Sequence, residues 1–207
     1  MKIVAISDVH RLEHYLTLPK GDMLIFSGDY AVNSLLDSMA LNMWFEKQDF
    51  KYKIYLAGNH DWFLYNNNIK SNKKFLNNCI YLQDELIEIE GLRIYGSPWC
   101  PEYNSWAFMK PRGSKDLSEI WSKIPENLDI LVTHCPPYQI LDESYYHKKC
   151  GCEVLAREII KKEPKYHIFG HIHHSYGHKK IENTTFINCS LLNDQYNMVN
   201  KPTIIEI

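Results

Sequence analysis

The sequence predicts an α/β protein: two sheets packed face to face with helices outside, in one domain spanning residues 1–207. Three observations predict this. Short apolar runs of strand length occur at 2–7, 23–27 and 53–57, and each stops at a polar cluster, as a buried strand does. Helical stretches are interleaved with the strands. From residue 166 onward the chain is strand-rich. Strand–helix units that give way to a run of strands fit two sheet layers covered by helices.

The elements follow in order. Residues 2–7 and 23–27 are the first two strands. Residues 33–47 carry Leu35, Leu36, Met39, Leu41, Met43 and Trp44, consistent with a helix, and 53–57 is the third strand. Residues 86–90 and 92–96 alternate in polarity around Gly91 and read as a hairpin. Residues 116–123 form a short helix closed by Pro125, and 129–133 is another buried strand. An amphipathic helix at 152–162 ends before Pro164. Strands at 166–169, 179–182, 185–188 and 203–207 complete the chain.

Hydrophobic residues make up 45% and charged residues 23% of the 207, which excludes a disordered, collagenous or coiled-coil chain. A net charge of -2 supplies no basic field for nucleic acid. No apolar run reaches the roughly 18 residues of a membrane span. The apolar start of the chain is too short and too soon acidic, at Asp8, for a signal peptide, so the expected compartment is the cytoplasm, with the six cysteines reduced. Cys150 and Cys152 form one Cys-x-Cys with no second half, and packing is the expected role for both.

The chemistry is positional. The first strand ends in Asp8-Val9-His10 and the second in Gly28-Asp29. The third ends in Gly58-Asn59-His60-Asp61. The 129–133 strand ends in His134, and the 166–169 strand in Gly170-His171-Ile172-His173. Ligands collect at the carboxyl ends of strands in α/β sheets, and five strand ends here deliver Asp, Asn or His. Mixed carboxylate, amide and imidazole donors suit a borderline divalent metal such as Mn, Fe, Zn or Ni. Any one of these motifs is common by chance; the ordered set is not.

That ordered set resembles the calcineurin-like metallophosphoesterase family. Gly96-Ser97-Pro98-Trp99, Trp106-Ala107-Phe108, Arg112-Gly113, Thr133-His134-Cys135-Pro136-Pro137, Gly151-Cys152 and Asn188-x-Ser190 are similar to its small metallophosphoesterase-domain-containing branch. The resemblance implies a four-layer α/β/β/α sandwich and two divalent metals, manganese first, with iron, zinc or nickel as the other candidates. It implies that Asp8, His10 and His173 hold one metal, that Asn59, His134 and His171 hold the other, and that Asp29 bridges them. A water between two cations then loses a proton and attacks phosphorus in line. His60 would serve the leaving group, with Asp61 either orienting it or acting as a helix N-terminal acid. Asn59 would also face the substrate.

The chain departs from the pattern in three places. Arg11 stands where the branch usually has a small residue, and either touches the phosphate or is solvated. Cys135 replaces a glycine beside His134. Residues 28–33 lack the Asp-Arg pair of protein Ser/Thr phosphatases, which argues against a phosphoprotein substrate. The irregular stretch 98–113 is rich in aromatics. Trp99 is the candidate for stacking on a nucleobase, while Trp106 and Phe108 are expected to pin the loop. His14, His147, His167, His174 and His178 lie outside the motifs.

The expected function is hydrolysis of a small phosphodiester, a cyclic nucleotide among the candidates, with no membrane partner and no strong sign of nucleic-acid binding. A phosphomonoesterase, a nuclease or a non-catalytic scaffold of the same fold are the alternatives.

Overall fold

The computed structural model describes residues 1–207. Thirteen strands form in chain order: β1 (Lys2–Ile6), β2 (Met23–Phe26), β3 (Tyr52–Leu56), β4 (Ile80–Leu82), β5 (Glu85–Ile89), β6 (Leu92–Ser97), β7 (Cys100–Pro101), β8 (Met109–Lys110), β9 (Ile130–Thr133), β10 (Tyr166–Phe169), β11 (Gly177–Ile181), β12 (Thr184–Asn188) and β13 (Thr203–Glu206). Five helices accompany them: α1 (Leu35–Glu46), α2 (Trp62–Asn66), α3 (Ile69–Phe75), α4 (Lys115–Ser122) and α5 (Glu153–Lys162).

The strands make two large mixed sheets, ordered β13-β1-β2-β3-β4 and β11-β12-β10-β9-β6-β5. The inner strands are parallel, and antiparallel strands occupy the β13, β11 and β5 edges. β1, β2 and β9 are almost wholly apolar because both their faces are covered. Ile3, Ala5, Ile25 and Ile54 meet Ile94, Ile130, Val132 and Ile168 between the sheets. The other face of the first sheet packs Val4, Leu24, Phe26 and Tyr55 under Leu41 and Phe45 of α1. The other face of the second sheet packs Tyr95, Leu131 and Phe169 under Trp121 of α4 and Leu155 of α5. The result is the expected four-layer α/β/β/α sandwich.

Ser34 starts α1. Its hydroxyl accepts from the Asp37 N–H at 3.2 Å and donates to the Asp37 carboxylate at 2.8 Å. Leu35, Leu36, Met39 and Met43 share the face of α1 turned away from the sheet and are exposed. The apolar residues in this helix therefore do not all mark its buried side.

The two sheets join at the end where their parallel strands finish. The Ser7 N–H donates to the Cys189 carbonyl at 3.0 Å, and the Leu191 N–H donates to the Ser7 carbonyl at 2.9 Å. The carboxyl ends of both sheets therefore open onto one cleft.

Candidate metal centre

Sharp turns at the strand ends aim the polar side chains inward. Asp8, His10, Asp29 and His171 all have positive φ, between 45° and 69°. Such backbone costs free energy for residues with a Cβ and concentrates at functional sites. Hydrogen bonds over-determine it. The Asp8 N–H donates to Gly28 O at 3.0 Å, and the Val9 and His10 N–H groups both donate to Asp29 O at 3.1 and 3.0 Å. The glycines make room. A Cβ on Gly58 would collide with the Asp29 carboxylate, and one on Gly170 would collide with Ser7 and Asp8.

Two clusters of donor atoms share Asp8: Asp8, His10 and His173 form one, and Asp8, Asp29 and His134 form the other; a third groups Cys100 with His134 and His171. His173 Nε2 lies 3.4 Å from Asp8 Oδ1, and its Nδ1 faces the Asn193 carbonyl at 3.0 Å. His134 Nδ1 faces the Ser27 carbonyl at 2.8 Å, which leaves Nε2 at 3.2 Å from Asp29 Oδ2 and 2.9 Å from Asn59 Oδ1. Carbonyl partners on the far nitrogens fix both rings as metal-binding imidazoles are fixed. The His171 ring packs on His134 with centroids 5.1 Å apart. His10 Nε2 is buried without a hydrogen-bond partner, 3.8 Å from Asp29 Oδ2. A buried, unpartnered imidazole nitrogen among carboxylates fits a cation held between them, so the residues present suit a divalent metal pair.

The charges are interlocked. Burial alone would raise Asp8, but the hydrogen bond and charge of His173 outweigh it and hold the carboxyl far below its usual range. Burial is likewise outweighed at Asp29 by the charge and hydrogen bond of His134. Burial opposes protonation of His134 and His173 as well, yet Asp29 and Asp8 raise each of them to about 9. Desolvation at its half-buried place, and then the charge of His134, push His171 down to about 3.

Asp61 lies beneath this cluster and is fully buried. It accepts from the Gly58 and Val32 N–H groups at 2.7 and 2.8 Å, from the Tyr55 hydroxyl at 2.8 Å and from the Asp29 N–H at 3.2 Å. Burial, and then the charge of Asp29, raise it to about 6 against the pull of those donors. Its contacts go to the loops that carry Asp29 and Asn59 and not to the His60 ring. Asp61 stands at the N-cap of α2 but makes no side-chain bond to that helix, so its contacts carry neither of the two sequence-based options.

A cleft of about 170 Å³ lies over the donors, lined by Asp29, Asn59, His60, Trp106, His171 and His173, with Ser144, Ile172, Asp194 and Tyr196. The His60 ring sits 5.1 Å from both the His10 and Trp106 rings, and its backbone N–H donates to Asp29 Oδ1 at 2.8 Å. Tyr196 lies against His10 and His173 at 4.9 and 5.4 Å. Trp99 is not among the lining residues. Its indole N–H donates to Asp84 at 3.0 Å and its ring packs on Phe108, so the loop aromatic in the cleft is Trp106 instead. Arg11 is also turned away, paired with Asp37 of α1 at 3.0 Å. Ser144, Asp194 and Tyr196 carried no sequence signal, because they lie in loops outside the motifs.

The sequence model of the calcineurin-like phosphoesterases matches residues 1–175. The chain belongs to that family. Metallophosphoesterase domain-containing protein 1 of Homo sapiens is 36% identical over 233 residues, a match covering 100% of this chain and 71% of that protein. A UPF0046 protein of Caenorhabditis elegans is 34% identical over 220 residues, covering 92% of this chain and 55% of its own. The fold is shared with TT1561 of Thermus thermophilus, at a TM-score of 0.59 and 12% identity over 90% of this chain and 88% of that one. Membership of the calcineurin-like phosphoesterases implies metal-dependent phosphoester hydrolysis at a dinuclear centre, and the donor groups above are the candidates for it. No helix is long and apolar enough to cross a membrane.

Proposed function

We propose that this calcineurin-like phosphoesterase hydrolyses a small phosphodiester, with a nucleotide as the favoured class. In this reading Asp8, His10 and His173 hold one divalent ion, Asn59, His134 and His171 hold the other, and Asp29 lies between. Manganese is the first expectation. When bound, the ions supply Lewis acidity toward water and the phosphoryl oxygens. The observation that carries the reading is the convergence of these donors and His60 on one cleft. Because Asp8 and Asp29 come from one sheet and His134 and His173 from the other, we take residues 1–207 as a single working domain.

The chain's own groups divide the remaining work. Asn59, in the cleft wall, also faces the phosphoryl group. The His60 ring, held at the mouth by its backbone bond to Asp29, donates a proton from a ring nitrogen to the departing oxygen. No lysine or arginine lines the cleft, and Arg11 is engaged by Asp37. A diester carries one negative charge at neutral pH where a monoester carries up to two, so the lining favours the diester. At about 170 Å³ the cleft is below the ~300–1,000 Å³ of a pocket that encloses a drug-sized ligand. It accommodates the phosphate, and a base would lie along Trp106 and Tyr196 at the rim, where stacking contributes about 1–3 kcal/mol.

The metal-loaded protein is expected to give a higher kcat/KM for a diester than for a monoester bearing the same leaving group. A clear monoester preference would replace this reading with a phosphatase. Trp106→Ala is expected to weaken nucleotide diesters by roughly 5- to 150-fold, from that stacking energy, while an aryl methyl phosphodiester is little affected.

A pH dependence also follows. His134 and His173 hold protons below about pH 9, and a metal takes only the neutral imidazole. Metal binding at pH 7 is therefore expected to release protons, and affinity is expected to rise as pH rises toward 9. Calorimetry in two buffers of different ionisation enthalpy measures the release. Identical apparent heats in the two would contradict it.

A further inference from the structure

A sixth strand end reaches this site. β6 lies beside β9, with Ser97 in register with Thr133. β9 in turn lies beside β10, and the Gly170 N–H donates to the His134 carbonyl at 3.0 Å. The chain emerging from β6 turns through Pro98 and Trp99 and places Cys100 next to the two histidines. The donor atoms of Cys100, His134 and His171 all lie within 4.8 Å of one another.

Three buried thiols occupy this region, and their partners separate them. The Cys135 thiol donates to the Trp99 carbonyl at 3.3 Å. The Cys152 sulfur caps α5, accepting from the Leu155 N–H at 3.5 Å. Cys100, fully buried, makes a long contact to the Pro98 carbonyl at 3.7 Å and lies against the Cys135 thiol. Neither ring nitrogen of His171 takes part in a hydrogen bond within the protein, and His134 keeps Nε2 turned inward. Of the three thiols, Cys100 is the one grouped with the two imidazoles.

We infer that Cys100 Sγ is a thiolate ligand to the ion held by His134 and His171, which makes that position sulfur-containing and its partner at Asp8, His10 and His173 purely nitrogen and oxygen. This rests on the reading that His134 and His171 hold a metal. Coordination forms one sulfur–metal bond, and the thiol proton passes to solvent. A thiolate beside two imidazoles favours zinc over manganese. The two positions are then chemically unequal, and a mixed pair is the expected native content.

Cobalt(II) substitution tests this. The full-length chain loaded with two equivalents of cobalt should show a thiolate-to-cobalt charge-transfer band in the near ultraviolet. Cys100→Ser should lose the band while still binding cobalt, and Cys135→Ser should keep it. Cys100→Ala, with its fold checked by circular dichroism, serves as the second variant. Bound cobalt without the band in the wild-type protein, or a band that survives in both Cys100 variants, would overturn the inference. Failure of the underlying metal reading looks different: cobalt stoichiometry would be unchanged in His134→Ala and His171→Ala.

Discussion

Asp29→Ala is expected to strip the centre of its metals and reduce turnover to background. Asp29 Oδ2 lies within 3.2 Å of His134 Nε2 and 3.8 Å of His10 Nε2, so one carboxylate faces both donor clusters. Its Oδ1 also holds the His60 N–H at 2.8 Å. The loss is therefore expected to exceed the roughly 10²–10⁴ that removal of a single general acid costs, because metals and proton donor are disturbed together. His173→Ala touches one cluster and is expected to leave part of the metal bound. Elemental analysis of the two variants, with kcat for an activated diester, checks the contrast. Asp29→Ala that retained two metals and near-normal turnover would remove the bridging assignment. A folding penalty accompanies the change, since His134 and the His60 N–H lose a buried acceptor at about 1–3 kcal/mol each; Asp29→Asn keeps the volume and separates that penalty from the loss of charge.

His60→Ala is expected to keep both metals and lose about 10²- to 10⁴-fold in kcat for a diester with a poor leaving group. The same variant should lose far less with nitrophenolate, which departs without a proton. The His60 ring lines the cleft against Trp106 and His10 and is not in either donor cluster. Leaving-group dependence is therefore the signature of its role. Equal losses for good and poor leaving groups would reassign His60 to packing.

The layered fold was legible because its determinants are local. Residues such as 23–27 and 166–169 are short apolar runs with polar stops, and in the structure they are strands with both faces covered. The stretch from Asp61 to Leu82 was not legible. It forms α2, α3 and β4, but Asn66-Asn67-Asn68 interrupts any apolar period, and α3 depends on an Asn68 side-chain cap to the Ser71 N–H at 2.9 Å. β7 and β8, two residues each, are too short to leave a periodic trace.

The donor residues could be read for a different reason. Each follows its strand directly, so strand order places it without knowledge of the loops. The cleft wall has no such shortcut. Trp99 and Trp106 lie in one loop, and what separates them is Asp84, whose carboxylate takes the Trp99 indole N–H and seats it away from the cleft. Arg11 is decided the same way by Asp37, a residue 26 positions downstream. Tyr196 reaches His10 and His173 from the turn before the last strand. Its placement depends on the 190–200 loop folding back onto Ser190, where Asn200 donates to the Ser190 carbonyl at 3.0 Å. These are long-range contacts between residue types common everywhere, and no pattern in the chain announces them.

The proposed chemistry requires two metal ions, one on each side of Asp29. Anomalous diffraction from crystals of the metal-loaded protein, collected at the metal absorption edge and paired with elemental analysis, tests it most directly. Two anomalous peaks are expected, one among Asp8, His10 and His173 and one among Asn59, His134 and His171, with Asp29 between them and about two metals per chain. A loaded protein with no peak in the cleft, or with one peak that Asp29 does not touch, would contradict the account.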